Sequence, residues 1–189
     1  MKWSRRQLLQ AGAMAGLSAA GVLRQARAGA PAGAPANTAG AGKRIALHNV
    51  HTDERLEVEY YRGADYVPES LAAIQVFLRD WRNDQQHVMD PKLMDTLHDV
   101  ALRLGVDPAF SVISGYRSPQ TNETLRERSS GVARHSLHLE GRAIDVRLAG
   151  VGCADLASRA LDLARGGVGY YRQSDFVHLD TGAFRTWKG

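Results

Sequence analysis

The stretch Ser136-Leu-His138-Leu-Glu-Gly141-Arg-Ala143-Ile-Asp145 joins a histidine, a glycine turn and the beginning of an alternating segment. From residue 142 to residue 148, small or charged residues alternate with aliphatic ones, which is the two-residue period of a half-buried strand. Asp145 then lies on the face opposite Ile144 and Val146. The pattern predicts a carboxylate that projects from a strand, close to a histidine at the turn before it.

A second histidine follows in the stretch Phe176-Val-His178-Leu-Asp180. Apolar residues surround this histidine, so residues 175–179 are predicted to form a neighbouring strand. Two imidazoles and one carboxylate can hold a zinc ion and leave its fourth position to water. We therefore predict a Zn²⁺ site formed by His138, Asp145 and His178.

The pattern S-x-H-x-x-G-x-A-x-D with a later histidine resembles that of the zinc D-alanyl-D-alanine peptidases, which include the vancomycin-resistance dipeptidases and murein carboxypeptidases. The similarity is closer to the murein endopeptidase K group and extends from residue 44 to the C-terminus. Five segments carry it, in this order: Ser114-Gly-Tyr-Arg117-Ser-Pro-Gln-Thr-Asn122, Gly131-Val-Ala133, Ser136-Leu-His138, Gly167-Val-Gly-Tyr-Tyr171 and Phe176-Val-His178-Leu-Asp180.

The order of the predicted elements indicates an α+β fold, in which helices pack on one face of a small, mostly antiparallel sheet. The resemblance implies the same class, the fold shared by the D,D-peptidases and the Hedgehog signalling domain. The main predicted helices cover residues 69–81, 91–104 and 154–164. The main predicted strands cover residues 45–50, 56–61, 111–114, 142–148, 168–171 and 175–179.

Hydrolysis of an amide also requires a base that takes a proton from water and returns it to the leaving amine. Asp175 lies three residues before His178, as in the E-x-x-H motif of the dipeptidases, whereas Asp180 lies two residues after it on the same strand face. Strand geometry favours Asp180 as the base, with Asp175 as the alternative. The resemblance also implies that Arg117 stabilises the tetrahedral oxyanion, which suits a guanidinium.

Several other residues are open to two interpretations. His48 and His51 are rival metal ligands in the predicted N-terminal hairpin, but they have no carboxylate nearby at strand spacing and are predicted to be solvated. His135 adjoins the ligand motif without fitting it, and it is the next candidate for the base after the two aspartates. Four more residues belong either to a substrate groove or to ordinary turns and packing: Tyr116, Ser136, Tyr170 and Tyr171.

The N-terminus has the pattern of an export signal. Ser4-Arg-Arg6-Gln-Leu-Leu9 is a twin-arginine motif, residues 11–23 are weakly hydrophobic, and Ala26-Arg-Ala28 is an A-x-A cleavage site. A bilayer span takes roughly 20 apolar residues, so no stable membrane anchor is expected after cleavage. We predict a signal peptide at 1–28, a flexible Gly/Ala/Pro linker at 29–43 and a zinc peptidase domain at 44–189.

The net charge of +4 does not indicate a nucleic-acid partner. Five of the 24 basic residues lie in the first 28 positions, which contain no acidic residue, so the rest of the chain has 19 basic and 20 acidic residues. The basic character therefore belongs to the leader, and binding to nucleic acid is not expected.

Export and the metal motif together predict a periplasmic, or otherwise exported, zinc peptidase that cleaves cross-links between peptidoglycan stem peptides. The twin-arginine translocation machinery is the expected partner during export. Two alternatives remain open at this point. One is a D-alanyl-D-alanine carboxypeptidase, and the other is a non-catalytic, zinc-containing module that binds peptidoglycan.

Overall fold

In the part of the chain that the structure describes, eight strands form one open, mixed sheet that is accompanied by four helices. The computed structural model describes residues 42–129 and 131–189. The strands are β1 (Lys43–Asn49), β2 (Arg55–Arg62), β3 (Asp65–Tyr66), β4 (Ala109–Ser114), β5 (Ala143–Leu148), β6 (Gly167–Tyr171), β7 (Phe176–Asp180) and β8 (Arg185–Lys188). The helices are α1 (Pro68–Phe77), α2 (Pro91–Leu104), α3 (Pro119–Arg128) and α4 (Cys153–Asp162), with a short 3-10 helix at Leu137–Glu140.

The strand order across the sheet is β3-β2-β1-β4-β5-β7-β6-β8. Five of the seven neighbouring pairs are antiparallel, whereas β1 pairs with β4, and β6 pairs with β8, in parallel. The predicted α+β class and the mostly antiparallel sheet are therefore confirmed. The sheet departs from the prediction in its two parallel pairs, since parallel neighbours need a long crossover that local sequence signals do not specify.

One face of the sheet forms the apolar core. Val112, Val146 and Val177 lie side by side in register on β4, β5 and β7, and all three are buried. Helices α1, α2 and α4 pack against the strands and share one apolar cluster with them, to which α2 contributes Leu97 and α4 contributes Leu156. Within the described ranges, α3 contributes no side chain to this cluster. The prediction that helices pack on one face therefore holds for three of the four.

Local sequence signals set both ends of α2. The Asp90 side chain accepts a hydrogen bond from the backbone N–H of Lys92 at 3.0 Å, and Pro91 occupies the first helical position. Gly105 ends the helix in the left-handed conformation, with φ of 69°. The predicted bounds of this helix are confirmed.

The helix predicted over residues 69–81 is shorter than expected, because α1 ends at Phe77. The chain then turns, and the backbone N–H of Asp80 donates to the carbonyl oxygen of Gln85 at 2.9 Å. Trp81 consequently lies outside the helix and stacks on His51, with ring centroids 4.2 Å apart. The apolar Trp81 side chain therefore reflects this tertiary contact, and it does not indicate a further turn of helix.

The predicted signal peptide at residues 1–28 lies outside the described residues, as does almost all of the predicted linker at 29–43. β1 begins at Lys43, one residue before the predicted start of the peptidase domain. Among the described helices, none combines the length and hydrophobicity of a membrane span.

Candidate active site

The three predicted metal ligands come from three adjoining elements. His138 lies on the 3-10 helix, Asp145 on β5 and His178 on β7. Asp145 and His178 are register partners, so their side chains leave the same face of the sheet next to each other. All three residues are buried. The structure thus brings together the set that the sequence predicts.

The short 3-10 helix is fixed at both ends. Ser136 Oγ accepts a hydrogen bond from the backbone N–H of His138 at 3.4 Å. Gly141 ends the helix with a φ of 65°, and a Cβ atom at this position would collide with the carbonyl oxygen of Val88. The turn between the histidine and β5 therefore requires glycine, and this turn sets the position of His138 relative to Asp145.

The ligand atoms have nearly the spacing of a tetrahedral zinc site. His138 Nε2 lies 3.2 Å from His178 Nδ1 and 3.3 Å from Asp145 Oδ1, and the last two atoms are 2.8 Å apart. Zinc–ligand bonds of about 2.0–2.1 Å at tetrahedral angles separate neighbouring ligand atoms by about 3.3 Å. Two of the three distances fit without adjustment. Within residues 42–129 and 131–189, no other cluster of three such side chains has metal-binding spacing.

The second nitrogen of each imidazole is already engaged. His138 Nδ1 lies 2.7 Å from the carbonyl oxygen of Gly115, and His178 Nε2 lies 3.1 Å from the Asp180 carboxylate. Because both oxygens can only accept, each of these ring nitrogens donates. His138 Nε2 and His178 Nδ1 then face the Asp145 carboxylate, and each offers a lone pair to a metal ion when its ring is neutral. Two imidazole nitrogens and a carboxylate oxygen that converge in this way are a set of ligand atoms that suits a zinc ion.

Burial and mutual contacts shift the pKa values of all three cluster residues. Burial lowers the pKa of His138. Burial also opposes the charged form of His178, but hydrogen bonds with Asp145 and Asp180 raise its pKa to about 9. Burial raises the pKa of Asp145, but the two imidazoles outweigh it and hold that pKa well below its usual range. A buried carboxylate that stays ionised is an appropriate metal ligand.

Arg117 approaches the cluster from the end of β4. Its Nη2 lies 3.7 Å from Asp145 Oδ2, and its contacts with Ser114 Oγ and Asn122 Oδ1 are both long, at 3.5 Å. Its buried Nε has no hydrogen-bond partner in the described part of the chain. Burial lowers the pKa of Arg117, and the charge of Asp145 opposes this effect. A guanidinium with unused donors beside the cluster can bind a substrate oxygen.

Asp180, the favoured base, lies behind His178. Its carboxylate contacts the ring nitrogen that faces away from the cluster, and Arg185 donates to both of its oxygens at 3.1 and 2.7 Å. Oδ1 also accepts from the backbone N–H groups of Gly167 and Gly182. Burial raises the pKa of Asp180, but these bonds outweigh it and hold the pKa well below its usual range. This placement favours orientation of His178 over proton transfer from water.

Asp175, the alternative base, lies in the turn before β7 with a φ of 50°. Aspartate is one of the few residues that adopt this left-handed conformation readily. Its carboxylate pairs with Arg147 at 3.4 Å, and Arg147 also donates to its carbonyl oxygen. The side chain is 70% exposed and does not line the pocket over the cluster. Its contacts favour a role in shaping the turn.

A pocket of about 470 Å³ opens over the cluster. The loop before the 3-10 helix lines it with His135 and Ser136, and three aromatic side chains line it with their rings: Tyr171, Phe176 and Trp187. His135 is exposed. Among the described residues, it is the one imidazole that lines this pocket apart from those of His138 and His178.

Two residues near the C-terminus contact the site although their sequence positions did not predict it. Arg185 pairs with Asp180, and the Trp187 ring centroid lies 5.1 Å from that of His178. Both belong to β8, which reaches the site by pairing with β6. Their spacing of two residues, which places them on one face of a strand, is the local signal that was available.

The rival histidines lie elsewhere. His48 pairs with Asp53 at 2.6 Å, and His51 stacks on Trp81 and contacts the carbonyl oxygen of Ile113. Neither belongs to the metal-binding cluster.

Comparison with known proteins identifies the family. A sequence model described as peptidoglycan L,D-endopeptidase MepK matches residues 37–187. The chain belongs to this family. Peptidoglycan L,D-endopeptidase MepK of Escherichia coli strain K12 is 42% identical over 143 residues, which are 76% of this chain and 79% of that protein. The probable peptidoglycan L,D-endopeptidase MepK of Haemophilus influenzae is 43% identical over 146 residues, which are 77% of this chain and 78% of that protein.

The range matched to the MepK family contains the whole site. It runs from before β1 to Trp187, so it includes the cluster, Arg117 and the aromatic wall of the pocket. The predicted signal peptide at residues 1–28 precedes the matched range. No solved structure gives a significant match to the chain.

Proposed function

We propose that this chain is a zinc-dependent murein endopeptidase. It hydrolyses peptidoglycan cross-links in which an L-configured residue is joined to a D-configured residue. Membership of the MepK family supports the reaction class. The observation that supports the metal is the convergence of His138, Asp145 and His178, whose ligand atoms lie within 3.3 Å of one another and which line an open pocket.

The chain's own residues prepare the metal position. Gly115 and Asp180 accept from the outer nitrogens of the two histidines, which fixes both tautomers and turns the inner nitrogens towards Asp145. A zinc ion, when bound, supplies a Lewis acid that polarises a carbonyl and lowers the pKa of water.

Arg117 stabilises the negative charge that develops on the carbonyl oxygen during attack. It borders the cluster, is largely buried and has an unpartnered Nε within the described ranges. Burial strengthens a charge–charge interaction because water screens it less. Preorganised donors of this kind are the usual means of lowering the barrier for amide hydrolysis.

His135 accepts the proton from the attacking water and passes it to the leaving amine. The Asp180 carboxylate lies behind His178 and is already bonded to Arg185, and the Asp175 carboxylate is paired with Arg147 outside the pocket. His135 lines the pocket and is exposed to it. This assignment revises the preference for Asp180 that strand spacing alone suggests.

The substrate requires export. The twin-arginine motif at residues 4–9 and the A-x-A site at residues 26–28 support passage through the twin-arginine translocation machinery and release into the periplasm without a stable membrane anchor. Peptidoglycan stem peptides are then the partner, and no nucleic acid is involved.

Digestion of purified muropeptide dimers tests the function. One dimer is joined through an L–D bond and the other through a D–D bond, and the products are separated by mass. We expect monomers from the L–D dimer, inhibition by EDTA, and no activity in a His178→Ala control that has lost zinc. Release of D-alanine from intact dimers would instead identify a carboxypeptidase. Binding of dimers without hydrolysis would identify a non-catalytic peptidoglycan-binding module.

A further inference from the structure

An aromatic wall borders the metal-binding cluster. The rings of Tyr171 and Phe176 stack with centroids 4.5 Å apart and an interplanar angle of 15°. The ring of Trp187 lies next to His178, and all of these residues line the same pocket. The wall therefore lies next to His178 in the pocket that opens over the cluster.

The sequence of β6 makes room for the indole. Gly169 is the register partner of Trp187 in the parallel β6–β8 pair. A Cβ atom at Gly169 would lie 2.5 Å from Trp187 Cε2 and 2.7 Å from Trp187 Nε1, which no side chain tolerates. Because this position has no side chain, the indole folds across β6 towards the neighbouring Tyr171. The glycine thus determines where the indole N–H points.

That N–H fixes the tyrosine hydroxyl. Trp187 Nε1 donates a hydrogen bond to Tyr171 Oη at 3.0 Å. An indole nitrogen can only donate, so the phenol oxygen must accept, and the phenol's own proton remains available. In the described part of the chain this proton has no acceptor. It can therefore be donated into the pocket.

Tyr171 and Arg117 serve the same region of the pocket. Both line it: Arg117 lies beside Asp145, and Tyr171 lies on β6, two residues from Gly169, the register partner of His178. The adjacent Tyr170 differs, because it packs against the apolar core. Of the two neighbouring tyrosines, one faces the chemistry and the other supports the fold.

We propose that the Tyr171 hydroxyl is a catalytic hydrogen-bond donor to the substrate carbonyl oxygen, and that Trp187 is the residue that positions it. The inference rests on the proposed peptidase function. As the carbonyl becomes a tetrahedral oxyanion, the hydrogen bond from Tyr171 strengthens and acts together with Arg117. An interaction of this kind is made mainly in the transition state, so its loss lowers kcat and leaves KM nearly unchanged.

The test compares Tyr171→Phe with Tyr170→Phe in the zinc-loaded protein, using the L–D dimer as substrate. Tyr171→Phe keeps the stacked ring and removes only the hydroxyl. We expect kcat to fall by about 10²-fold, with KM and zinc content unchanged, because loss of one oxyanion donor typically has this effect. Tyr170→Phe, the same change on the core face, should retain the wild-type kcat.

A double-variant cycle tests the role of Trp187. Trp187→Phe keeps an aromatic ring and removes the N–H donor, so we expect a smaller loss of kcat than for Tyr171→Phe. In the Tyr171→Phe background the same change should cost nothing further, since there is no hydroxyl left to position.

Each contrary outcome has a separate meaning. If wild-type protein fails to cleave the dimer, the proposed function is at fault. If wild-type protein is active and Tyr171→Phe retains its kcat, or raises only KM, the donor role of Tyr171 is refuted while the peptidase function stands. Fully additive losses in the double variant would refute the positioning role of Trp187.

Discussion

At the scale of single residues, Asp180 shows how much one buried carboxylate can organise. It receives hydrogen bonds from two backbone N–H groups, from Arg185 and from His178. These contacts join β6, β7 and β8 around the outer nitrogen of His178. The residue therefore controls the orientation of His178 without facing the pocket itself.

Asp180→Asn should weaken zinc binding. The amide is nearly isosteric but neutral, so the His178 ring loses the charged acceptor that fixes its tautomer. Loss of such a partner typically costs about 10–100-fold in metal affinity or activity. Competition with a chelator of known affinity measures the effect, and Asp175→Asn is the matched control that should bind zinc normally. Unchanged zinc affinity with slow turnover would return Asp180 to the role of base.

His135→Ala should slow turnover by about 10²–10⁴-fold, which is the usual contribution of a positioned acid–base group. Zinc content should stay at one equivalent, because His135 is not in the ligand cluster. His48→Ala removes a half-buried imidazole elsewhere on the sheet and should leave steady-state cleavage of the L–D dimer unchanged. Full activity of His135→Ala would show that another group takes the proton.

At the scale of elements, Asp80 connects the turn after α1 to the beginning of α3. Its carboxylate accepts from the backbone N–H of Ser118 at 2.9 Å, and Ser118 caps α3 directly after Arg117. Burial raises the pKa of Asp80, but hydrogen bonds from Thr121, Ser118 and Arg82 outweigh it and hold the pKa below its usual value. The turn thereby supports the segment that carries Arg117.

Asp80→Asn should lower the free energy of unfolding at neutral pH by about 1.5–3 kcal/mol, the typical worth of hydrogen bonds to a charged group. A carboxyl whose pKa is lowered in the folded state stabilises the protein above its unfolded pKa, about 3.9, and loses that contribution as the pH falls. The difference between wild type and variant should therefore shrink below about pH 4. Urea unfolding at pH 7 and pH 3 measures both values, and an equal difference at the two pH values would contradict the linkage.

The elements around the cluster were predictable because their signals are local. The alternation before and after Asp145, the glycine turn at Gly141 and the cap of α2 each lie within a few residues of the feature that they specify. The end of α1 was not predictable, since the apolar spacing continues to Trp81, whose partner His51 lies 30 positions earlier in the chain.

The back of the site depends on pairing between distant strands. The two-residue spacing correctly placed Asp180 on the same strand face as His178. It could not show that Arg185 donates hydrogen bonds to the Asp180 carboxylate. That contact exists because β8 returns to pair with β6, and Gly167 leaves space for the guanidinium. The two-residue period of a strand predicts which face a side chain lies on. It does not predict which residue of a distant strand will contact that side chain.

At the scale of the whole molecule, we expect metal binding and folding to be coupled. The proposed ligands come from the 3-10 helix, β5 and β7, which meet only in the folded chain. Zinc that binds the native state alone stabilises it by mass action, by about 4 kcal/mol when free metal is 1,000 times its dissociation constant. EDTA should therefore lower the melting temperature of wild-type protein and have little effect on a His138→Ala/His178→Ala double variant. Equal shifts in both proteins would contradict binding at this cluster.

Export should depend on Arg5 and Arg6, which form the twin-arginine motif of the leader. Replacement of both residues by lysine keeps the charge and removes the motif, so the precursor should accumulate in the cytoplasm. Fractionation and immunoblotting measure this, with Lys2→Arg as a control outside the motif. Normal periplasmic accumulation of the double-lysine variant would indicate the general secretory route.

The alternation of side chains along β5 and β7 has a consequence for how the enzyme can change. Val146 and Val177 face the core, whereas Asp145 and His178, one residue away on the same strands, face the pocket. Random libraries confined to the pocket-lining positions around the cluster, with Asp145 and His178 kept, and to the loop that carries His135 should therefore sample new cross-link preferences at little cost to folding. The same number of substitutions on the first face would mostly yield aggregated protein. In laboratory evolution of this enzyme, the alternation along β5 and β7 therefore indicates which positions to vary and which to keep.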